Sequence, residues 1–134
     1  MPATTQTKKN SRKEASELPI SNGVKAILKN YRQAPRKVRL VADMIRGKTA
    51  QDALSALAFL PKKASEPLKK LVESALANAK QAGEKDPGAL TVSEIRVDKA
   101  TTFTRMMPRA RGRSTPIRKH SSHVTLTLRE KAGK

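Results

Sequence analysis

The pattern of apolar and polar residues predicts a first, half-buried strand over residues 23–31. Successive side chains of a strand point to opposite faces of its sheet, so the alternation sorts these residues into two sets. Val24, Ala26 and Leu28 share one face of the strand. The other face carries Lys25, Ile27, Lys29 and Tyr31.

Two further strands are predicted in the second half of the chain. In residues 90–97 the apolar positions change phase halfway, and a β-bulge near Ser93 and Glu94 would reconcile the two halves. Residues 123–129 alternate without interruption. Their apolar face carries Val124, Leu126 and Leu128, and the opposite face carries Thr125 and Thr127.

Apolar residues at helical spacing predict a first helix between Pro35 and Gly47. Proline suits the first turn of a helix, and glycine readily ends one. The apolar stripe comprises Val38, Val41, Ala42 and Ile45, widened by Leu40 and Met44. The rest of the helix is basic apart from Asp43, which is spaced to form an ion pair with Arg39 four residues earlier.

Two more helices are predicted between the first helix and the second strand. One lies between Thr49 and Pro61, with Thr49 and Asp52 spaced as a capping box. The other begins near residue 64, holds Pro67 in its first turn and stops at Gly83. Its apolar stripe is the most regular in the chain and comprises Leu68, Leu71, Val72, Ala75, Leu76 and Ala79.

Charge is the most informative feature of the composition. The chain has 134 residues, the size of one domain, and a formal net charge of +18. Self-repulsion of that size opposes compaction, so nucleic acid is the first candidate partner and an anionic membrane surface the second. No apolar run approaches the roughly 18–20 residues that cross a bilayer, and the N-terminus lacks the apolar core of a signal peptide. We expect a reducing cytoplasm and no membrane partner.

Residues that could perform catalysis or bind a metal are scarce. The chain has no cysteine, its histidines are His120 and His123, and its carboxylates are few and scattered. This composition argues against a zinc site or an acid–base pair, and we expect no enzyme, metal or cofactor. The two histidines either contact RNA or are simply polar ring residues. Three aromatic residues are too few for base-stacking platforms, which favours contacts to phosphate.

Residues 99–129 carry eight basic side chains and no carboxylate. These basic residues are Lys99, Arg105, Arg109, Arg111, Arg113, Arg118, Lys119 and Arg129. A structureless loop of the length between Val97 and Ser122 is improbable in a compact domain. Pro108 and Gly112 mark a bend, so the segment is predicted to be an extended β-ribbon with its tip near residues 107–113. Such a ribbon is marginally stable in water, and it is expected to become ordered against a polyanion.

Four motifs resemble one known family, in that family's order. They are residues 34–48 (APRKVRLVADMIRGK), 71–79 (LVESALANA), 107–113 (MPRARGR) and 122–125 (SHVT). They resemble the first helix, the long helix, the hairpin tip and the return strand of the bacterial large-subunit ribosomal protein numbered twenty-two. The resemblance covers about residues 23–130.

The resemblance implies an α+β fold with three helices packed on a three-stranded antiparallel sheet and a long protruding β-hairpin. It implies a structural constituent of the large ribosomal subunit in the cytoplasm, which binds several domains of the large-subunit rRNA and aids assembly. The body would lie near the exit of the nascent-peptide tunnel, beside neighbouring large-subunit proteins. The hairpin would line the tunnel and contact the nascent peptide, close to where macrolide antibiotics bind.

Charge and the resemblance together indicate one set of site residues, for RNA binding, and the resemblance alone implies a second set, for the tunnel. The candidate RNA-binding residues are Lys25, Lys29, Arg32, Arg36, Lys37, Arg39, Arg46, Lys48, Lys99, Arg105, Arg109, Arg111, Arg113, Arg118, Lys119, His120 and His123. The candidate tunnel-lining residues of the hairpin tip are Phe103, Thr104, Arg105, Met106, Met107, Pro108, Arg109, Ala110, Arg111 and Gly112.

The predicted organisation is one RNA-binding domain over residues 21–130, with the hairpin at about 98–122. Residues 1–20 are predicted to be a disordered basic tail, which either stays solvated or becomes ordered on RNA. Residues 131–134 form a C-terminal tail. The alternative function is that of a free-standing basic RNA-binding or RNA-chaperone protein, and it is supported by charge alone.

Overall fold

The structure is a computed structural model that describes residues 23–83 and 86–130. Its elements are β1 (Val24–Tyr31), α1 (Pro35–Ile45), α2 (Ala50–Phe59), α3 (Ser65–Gln81), β2 (Thr91–Lys99), β3 (Phe103–Pro108), β4 (Ser114–Lys119) and β5 (Ser122–Arg129). Strands β1, β5 and β2 form an antiparallel sheet in that order, and β3 and β4 form a separate hairpin. The predicted α+β fold is confirmed. The two predicted tails lie outside the described residues.

Helix α1 presents a narrower apolar face than its composition suggests. Its buried residues are Val38, Val41, Ala42 and Ile45, as their spacing predicts. Leu40 and Met44 are 65% and 45% exposed, so the expectation that they widen the buried stripe is wrong. With 3.6 residues per turn, Leu40 lies about 200° around the helix from Val38. Both exposed side chains therefore lie on the solvent side of α1.

Helices α2 and α3 begin where their local signals predict. Thr49 Oγ1 accepts a hydrogen bond from the Asp52 backbone N–H at 3.2 Å, which confirms Thr49 as the N-cap. The Asp52 carboxylate accepts from the Thr49 hydroxyl at 2.8 Å, whereas in a capping box it would accept from the Thr49 backbone N–H. Pro67 is the third residue of α3, where its missing N–H has no partner inside the helix. The predicted apolar stripe of α3 is buried, apart from half-buried Leu76: Leu68, Leu71, Val72, Ala75 and Ala79.

The bulge predicted in the second strand is present. Val92 pairs with Leu128 of β5 and Glu94 pairs with Thr127, so Ser93 is the additional residue of β2. The bulge brings Val92 and Ile95 onto the same face of the sheet, and both are buried. The change of phase in the sequence therefore reports a real irregularity of the strand.

Strand β1 contains an irregularity that its sequence pattern does not predict. Its register with β5 shifts between Leu28 and Tyr31, and Asn30 between them has a left-handed φ of 54°. Tyr31 consequently lies opposite buried Ser122 and packs against the core. The prediction that Tyr31 lies on the face opposite Ala26 is therefore wrong, because one left-handed residue reverses the alternation.

The hydrophobic core lies between the three helices and one face of the three-stranded sheet. The central strand β5 contributes Val124, Leu126 and Leu128, all 0% exposed. Helix α1 packs against β2, and α3 packs against β1. Within the described residues, the core cluster includes no residue of the hairpin, β3 to β4. The core of the body should therefore not depend on the hairpin.

We expect deletion of residues 102–117 to leave the body folded. The deletion removes no core residue, so the free energy of unfolding should change by less than about 1 kcal/mol. Leu126→Ala in the full chain is the comparison, and it should cost about 2–5 kcal/mol because it leaves a cavity. Thermal unfolding followed by circular dichroism measures both. Loss of the cooperative transition in the deletion variant would contradict the prediction.

Candidate nucleic-acid interface

The hairpin is a regular two-stranded ribbon with defined edges. Its register runs from Phe103 opposite Lys119 to Pro108 opposite Ser114, and Pro116 lies opposite Met106. Proline lacks an N–H, so it fits a two-stranded ribbon at residues whose backbone nitrogen points away from the partner strand. Pro108 and Pro116 lie in register pairs two residues apart, so both belong to the same kind of pair. They limit the addition of another strand to the ribbon edges.

The tip of the hairpin turns sharply at residues 109–113. Arg109 N–H donates to Arg113 O at 2.8 Å, and Arg113 N–H donates to Ala110 O at 3.4 Å. Arg111 and Gly112 have left-handed φ angles of 56° and 68°. For Arg111 this conformation costs about 1–2 kcal/mol, whereas glycine adopts it freely. The tip lies within the segment 107–113 predicted from sequence.

Six cationic side chains and no carboxylate lie between Phe103 and Lys119. The strand β3 and the tip are exposed throughout, including Met106 at 63% and Met107 at 42%. The six cations are also exposed: Arg105, Arg109, Arg111, Arg113, Arg118 and Lys119. The hairpin thus presents mixed cationic and apolar surface to its surroundings.

Few contacts join the hairpin to the body. Pairing of β2 with β5 ends at Lys99 opposite Ser122, and hairpin pairing begins at Phe103. Between these points Ala100 N–H donates to Ser121 O at 2.9 Å, and Thr102 Oγ1 lies 3.3 Å from His120 Nδ1. The structure therefore interrupts the ribbon where the hairpin leaves the sheet.

An arginine of the body contacts the first aromatic ring of the hairpin. The guanidinium carbon of Arg32 lies 4.5 Å from the ring centroid of Phe103, within the range of a cation–π interaction. Arg32 follows β1, so this contact links the loop between β1 and α1 to the start of β3. One face of the Phe103 ring is thereby covered by the protein itself.

The remaining nominated basic residues of the body lie at the surface. These exposed residues are Lys25, Lys29, Arg36, Lys37, Lys48 and Lys99. Lys25 and Lys29 lie on the sheet face away from the core, and Lys37 is in the first turn of α1. Within residues 23–83 and 86–130, none of these side chains makes a hydrogen bond to a buried group.

Two nominated arginines also have a structural task. Arg39 Nε and Nη2 donate to Val97 O at 3.2 and 2.9 Å, and Arg46 Nη2 donates to Ile95 O at 3.1 Å. Strand β2 is at the edge of its sheet, where outward carbonyls have no neighbouring strand. The expected Arg39–Asp43 ion pair is wrong, because Asp43 instead lies 3.2 Å from Arg46.

His123 is tied to the irregular end of β1. Its Nδ1 accepts a hydrogen bond from the Asn30 backbone N–H at 3.1 Å, and it lies opposite Asp98 in the sheet. An accepting Nδ1 leaves the ring proton on Nε2. The two histidines have different partners, since His123 contacts Asn30 and His120 contacts Thr102 at the base of the hairpin. In the described residues there is no group of three or more metal-binding side chains.

Sequence reasoning missed Lys63, which lines a groove of about 420 Å³ together with five nominated side chains. The five are Arg32, Lys37, Arg118, Lys119 and His120. The only local signal for Lys63 is its position beside Lys62 after Pro61. The groove brings together three segments that are far apart in sequence, at residues 32–37, 63 and 118–120.

Tyr31 connects two loops that border this groove. Its hydroxyl lies 2.7 Å from Gln33 Oε1 and 3.1 Å from Lys63 O. Burial raises the pKa of Tyr31, and the negative charge of Glu66 raises this pKa further. On the surface of α3, a hydrogen bond from Lys70 lowers the pKa of Glu66. Tyr31 therefore remains neutral and able to donate at physiological pH.

The fold and the charge distribution define a class of small basic α+β proteins that present a cationic hairpin outside their core. The family described as ribosomal protein L22p/L17e matches residues 26–129, and the chain belongs to this family. Two relatives are proteins named large ribosomal subunit protein uL22. The one from Desulfitobacterium hafniense is 51% identical over 80% of this chain and 94% of its own length. The one from Deinococcus radiodurans is 42% identical over the full length of both.

Family membership makes this chain a structural protein of the large ribosomal subunit rather than an enzyme, as the sequence motifs predicted. It places the chain in the cytoplasm, where bacterial ribosomes are found. Among the helices described, none is long and apolar enough to cross a membrane.

We expect Tyr31 to ionise at a higher pH in the folded protein than in the unfolded chain. Because the folded pKa is raised, the contribution of Tyr31 to stability is complete below the unfolded pKa of about 10 and is lost as the pH rises through the folded pKa. Tyr31 is the sole tyrosine and the chain has no tryptophan, so ultraviolet absorbance reports its ionisation directly. The same titration in urea is the control. Equal midpoints would contradict the expected shift.

We expect Arg39→Ala to lower the free energy of unfolding by about 1 kcal/mol, because Val97 O loses two donors. Arg36→Ala, which changes an exposed arginine of the same helix, should stay within about 0.5 kcal/mol of the unchanged protein. Urea denaturation measures the difference between the two variants. Equal effects would show that Arg39 does not stabilise the edge of β2.

Proposed function

We propose that this protein binds large-subunit rRNA through its basic surface and that its hairpin lines the nascent-peptide exit tunnel. The observation that carries the proposal is the hairpin itself, with six exposed cations and no carboxylate between Phe103 and Lys119. Like charges at this density repel one another, and phosphate groups on both sides would remove the repulsion. Membership of a ribosomal protein family supports rRNA as the source of those phosphates.

The contacts are made to phosphate and sugar rather than by stacking on bases. Only three aromatic residues occur in the chain, and one face of Phe103 is covered by Arg32. Phosphate contacts fix the position of a protein on RNA without reading its sequence. Basic residues on α1, on β1 and along the hairpin face different directions, which suits contact with several rRNA domains.

Three features support the tunnel-lining role of the hairpin. Each arm pairs over six residues, from Phe103 to Pro108 and from Ser114 to Lys119, which corresponds to about 20 Å. The tip residues, from Phe103 to Gly112, are exposed and combine arginine with apolar Met106 and Met107. Such a surface can contact rRNA with its cations and a passing nascent peptide with its apolar side chains.

Binding of rRNA by the hairpin also gives the protein a role in assembly of the large subunit. A two-stranded ribbon with no core of its own is marginally stable in water. Phosphate contacts stabilise it, so its ordering is coupled to the folding of rRNA around it. The body, folded by its own core, supplies the surface for adjacent proteins.

We expect replacement of Arg105, Arg109 and Arg113 by glutamine to weaken binding to large-subunit rRNA. The slope of log affinity against log salt should become shallower by about 0.7–0.9 for each phosphate that the variant no longer neutralises. Glutamine at Lys69, Lys80 and Arg96 removes the same charge from the body and is the matched control. Equal weakening in the two triple variants would contradict the assignment to the hairpin.

A competition assay separates a ribosomal protein from a free-standing RNA binder. The full chain should prefer folded large-subunit rRNA to a random duplex, and should sediment with large subunits after a moderate salt wash. Equal affinity for both RNAs, with release from the subunits, would favour the free-standing binder.

Cross-linking tests whether the hairpin tip lines the nascent-peptide tunnel. A photo-reactive group at Ala110 should reach the nascent peptide in stalled ribosomes, whereas one at exposed Ser74 of α3 should not. Cross-links from Ala110 to RNA alone would overturn the tunnel role and leave rRNA binding intact.

A further inference from the structure

The groove at the base of the hairpin has one wall from the body and one from the hairpin. The body supplies Arg32 and Lys37 around the start of α1, and Lys63 from the connection between α2 and α3. The return arm and its end supply Arg118, Lys119 and His120. Five of these side chains carry a positive charge, and among the described residues no carboxylate lines the groove.

Internal contacts of the protein build both walls in the absence of any ligand. The Tyr31 hydroxyl shares its one proton between Gln33 Oε1 and the backbone carbonyl of Lys63, and this contact links the two loops of the body wall. Thr102 lies beside His120 on the hairpin wall. The Arg32–Phe103 contact then connects the two walls. The groove is therefore a built feature of the fold, although its charges repel one another.

A phosphodiester strand is the ligand that this geometry suits. Cations on two facing walls of an open groove match the repeated negative charges of a backbone better than a single small anion. Helix α1 also begins here, and the positive end of its dipole adds to the potential. The described residues that line the groove include no tyrosine, tryptophan or phenylalanine, which favours recognition of the RNA backbone over its bases.

Occupation of the groove would also set the direction of the hairpin. The sheet is interrupted between Lys99 and Phe103, so the orientation of the hairpin depends on the few contacts at its base. We propose that one RNA strand binds in this groove through its phosphates, bridging Lys63 on the body to Arg118 on the hairpin, and thereby fixes the hairpin relative to the body. This inference rests on the proposed rRNA binding and adds a specific site and a conformational consequence.

The orientation of the hairpin can be measured with two spin labels on the full chain. The protein has no cysteine, so Ser74→Cys on α3 and Ala110→Cys at the tip place one label on each part. Pulsed electron resonance gives the distribution of distances between the labels. A short single-stranded oligouridylate is the probe. In the protein whose groove residues are not substituted, oligouridylate should narrow the distribution of distances between the two labels.

Variants on the two walls decide whether the groove is responsible. Lys63→Gln and Arg118→Gln should each abolish the narrowing, and each should lower the salt slope of oligouridylate binding by about 0.7. Lys63→Gln keeps the backbone carbonyl that Tyr31 contacts, so the fold should be unaffected. Lys80→Gln, at the far end of α3, removes one charge outside the groove and should leave both readouts unchanged.

The outcomes separate this inference from the proposed function. Narrowing that persists in Lys63→Gln, or equal effects of Lys63→Gln and Lys80→Gln, would overturn the groove while leaving rRNA binding in place. Binding of oligouridylate that leaves the distance distribution unchanged would also overturn the groove and leave rRNA binding in place. Failure of the full chain to prefer large-subunit rRNA over a random duplex would overturn the proposed function, and the groove with it.

Discussion

Hydrophobic burial stabilises the body of this molecule, whereas the cationic side chains of the hairpin lie outside that core and repel one another. The body buries Val124, Leu126 and Leu128 completely, and their transfer from water supplies the driving force for its folding. The hairpin from β3 to β4 contributes nothing to that core and holds six cations without a carboxylate. Among the described residues, the ion pairs all lie in the body, so none of them neutralises a cation of the hairpin.

Arginine has three different environments in this structure, although its charge is the same in each. Arg39 and Arg46 donate to carbonyls at the edge of β2 and so belong to the sheet. Arg32 stacks on Phe103 and joins the body to the hairpin. Arg111 and Arg113 at the tip face outward, and Arg109 beside them donates from Nε to Thr115 Oγ1 at 3.3 Å. The net charge counts all of these arginines equally. The contacts of each side chain in the structure distinguish arginines that stabilise the fold from arginines exposed at the surface.

Local signals were sufficient for most elements of the fold. The N-cap at Thr49, the position of Pro67 and the bulge at Ser93 depend on residues close in sequence, so the sequence alone predicts them. The errors share another origin. Leu40 is apolar yet exposed, and Tyr31 changes face, because neighbouring elements and the left-handed Asn30 decide which side of each element is covered.

The sequence by itself determined the elements, the excess of charge and the concentration of cations in one acid-free segment, because composition and periodicity are properties of neighbouring residues. Only the tertiary structure decided which cations meet. Lys63 and Arg118 are far apart in sequence and line one groove, since β5 returns the chain to the sheet beside β1. A site whose walls come from distant segments exists only after long-range packing, and no local pattern encodes it.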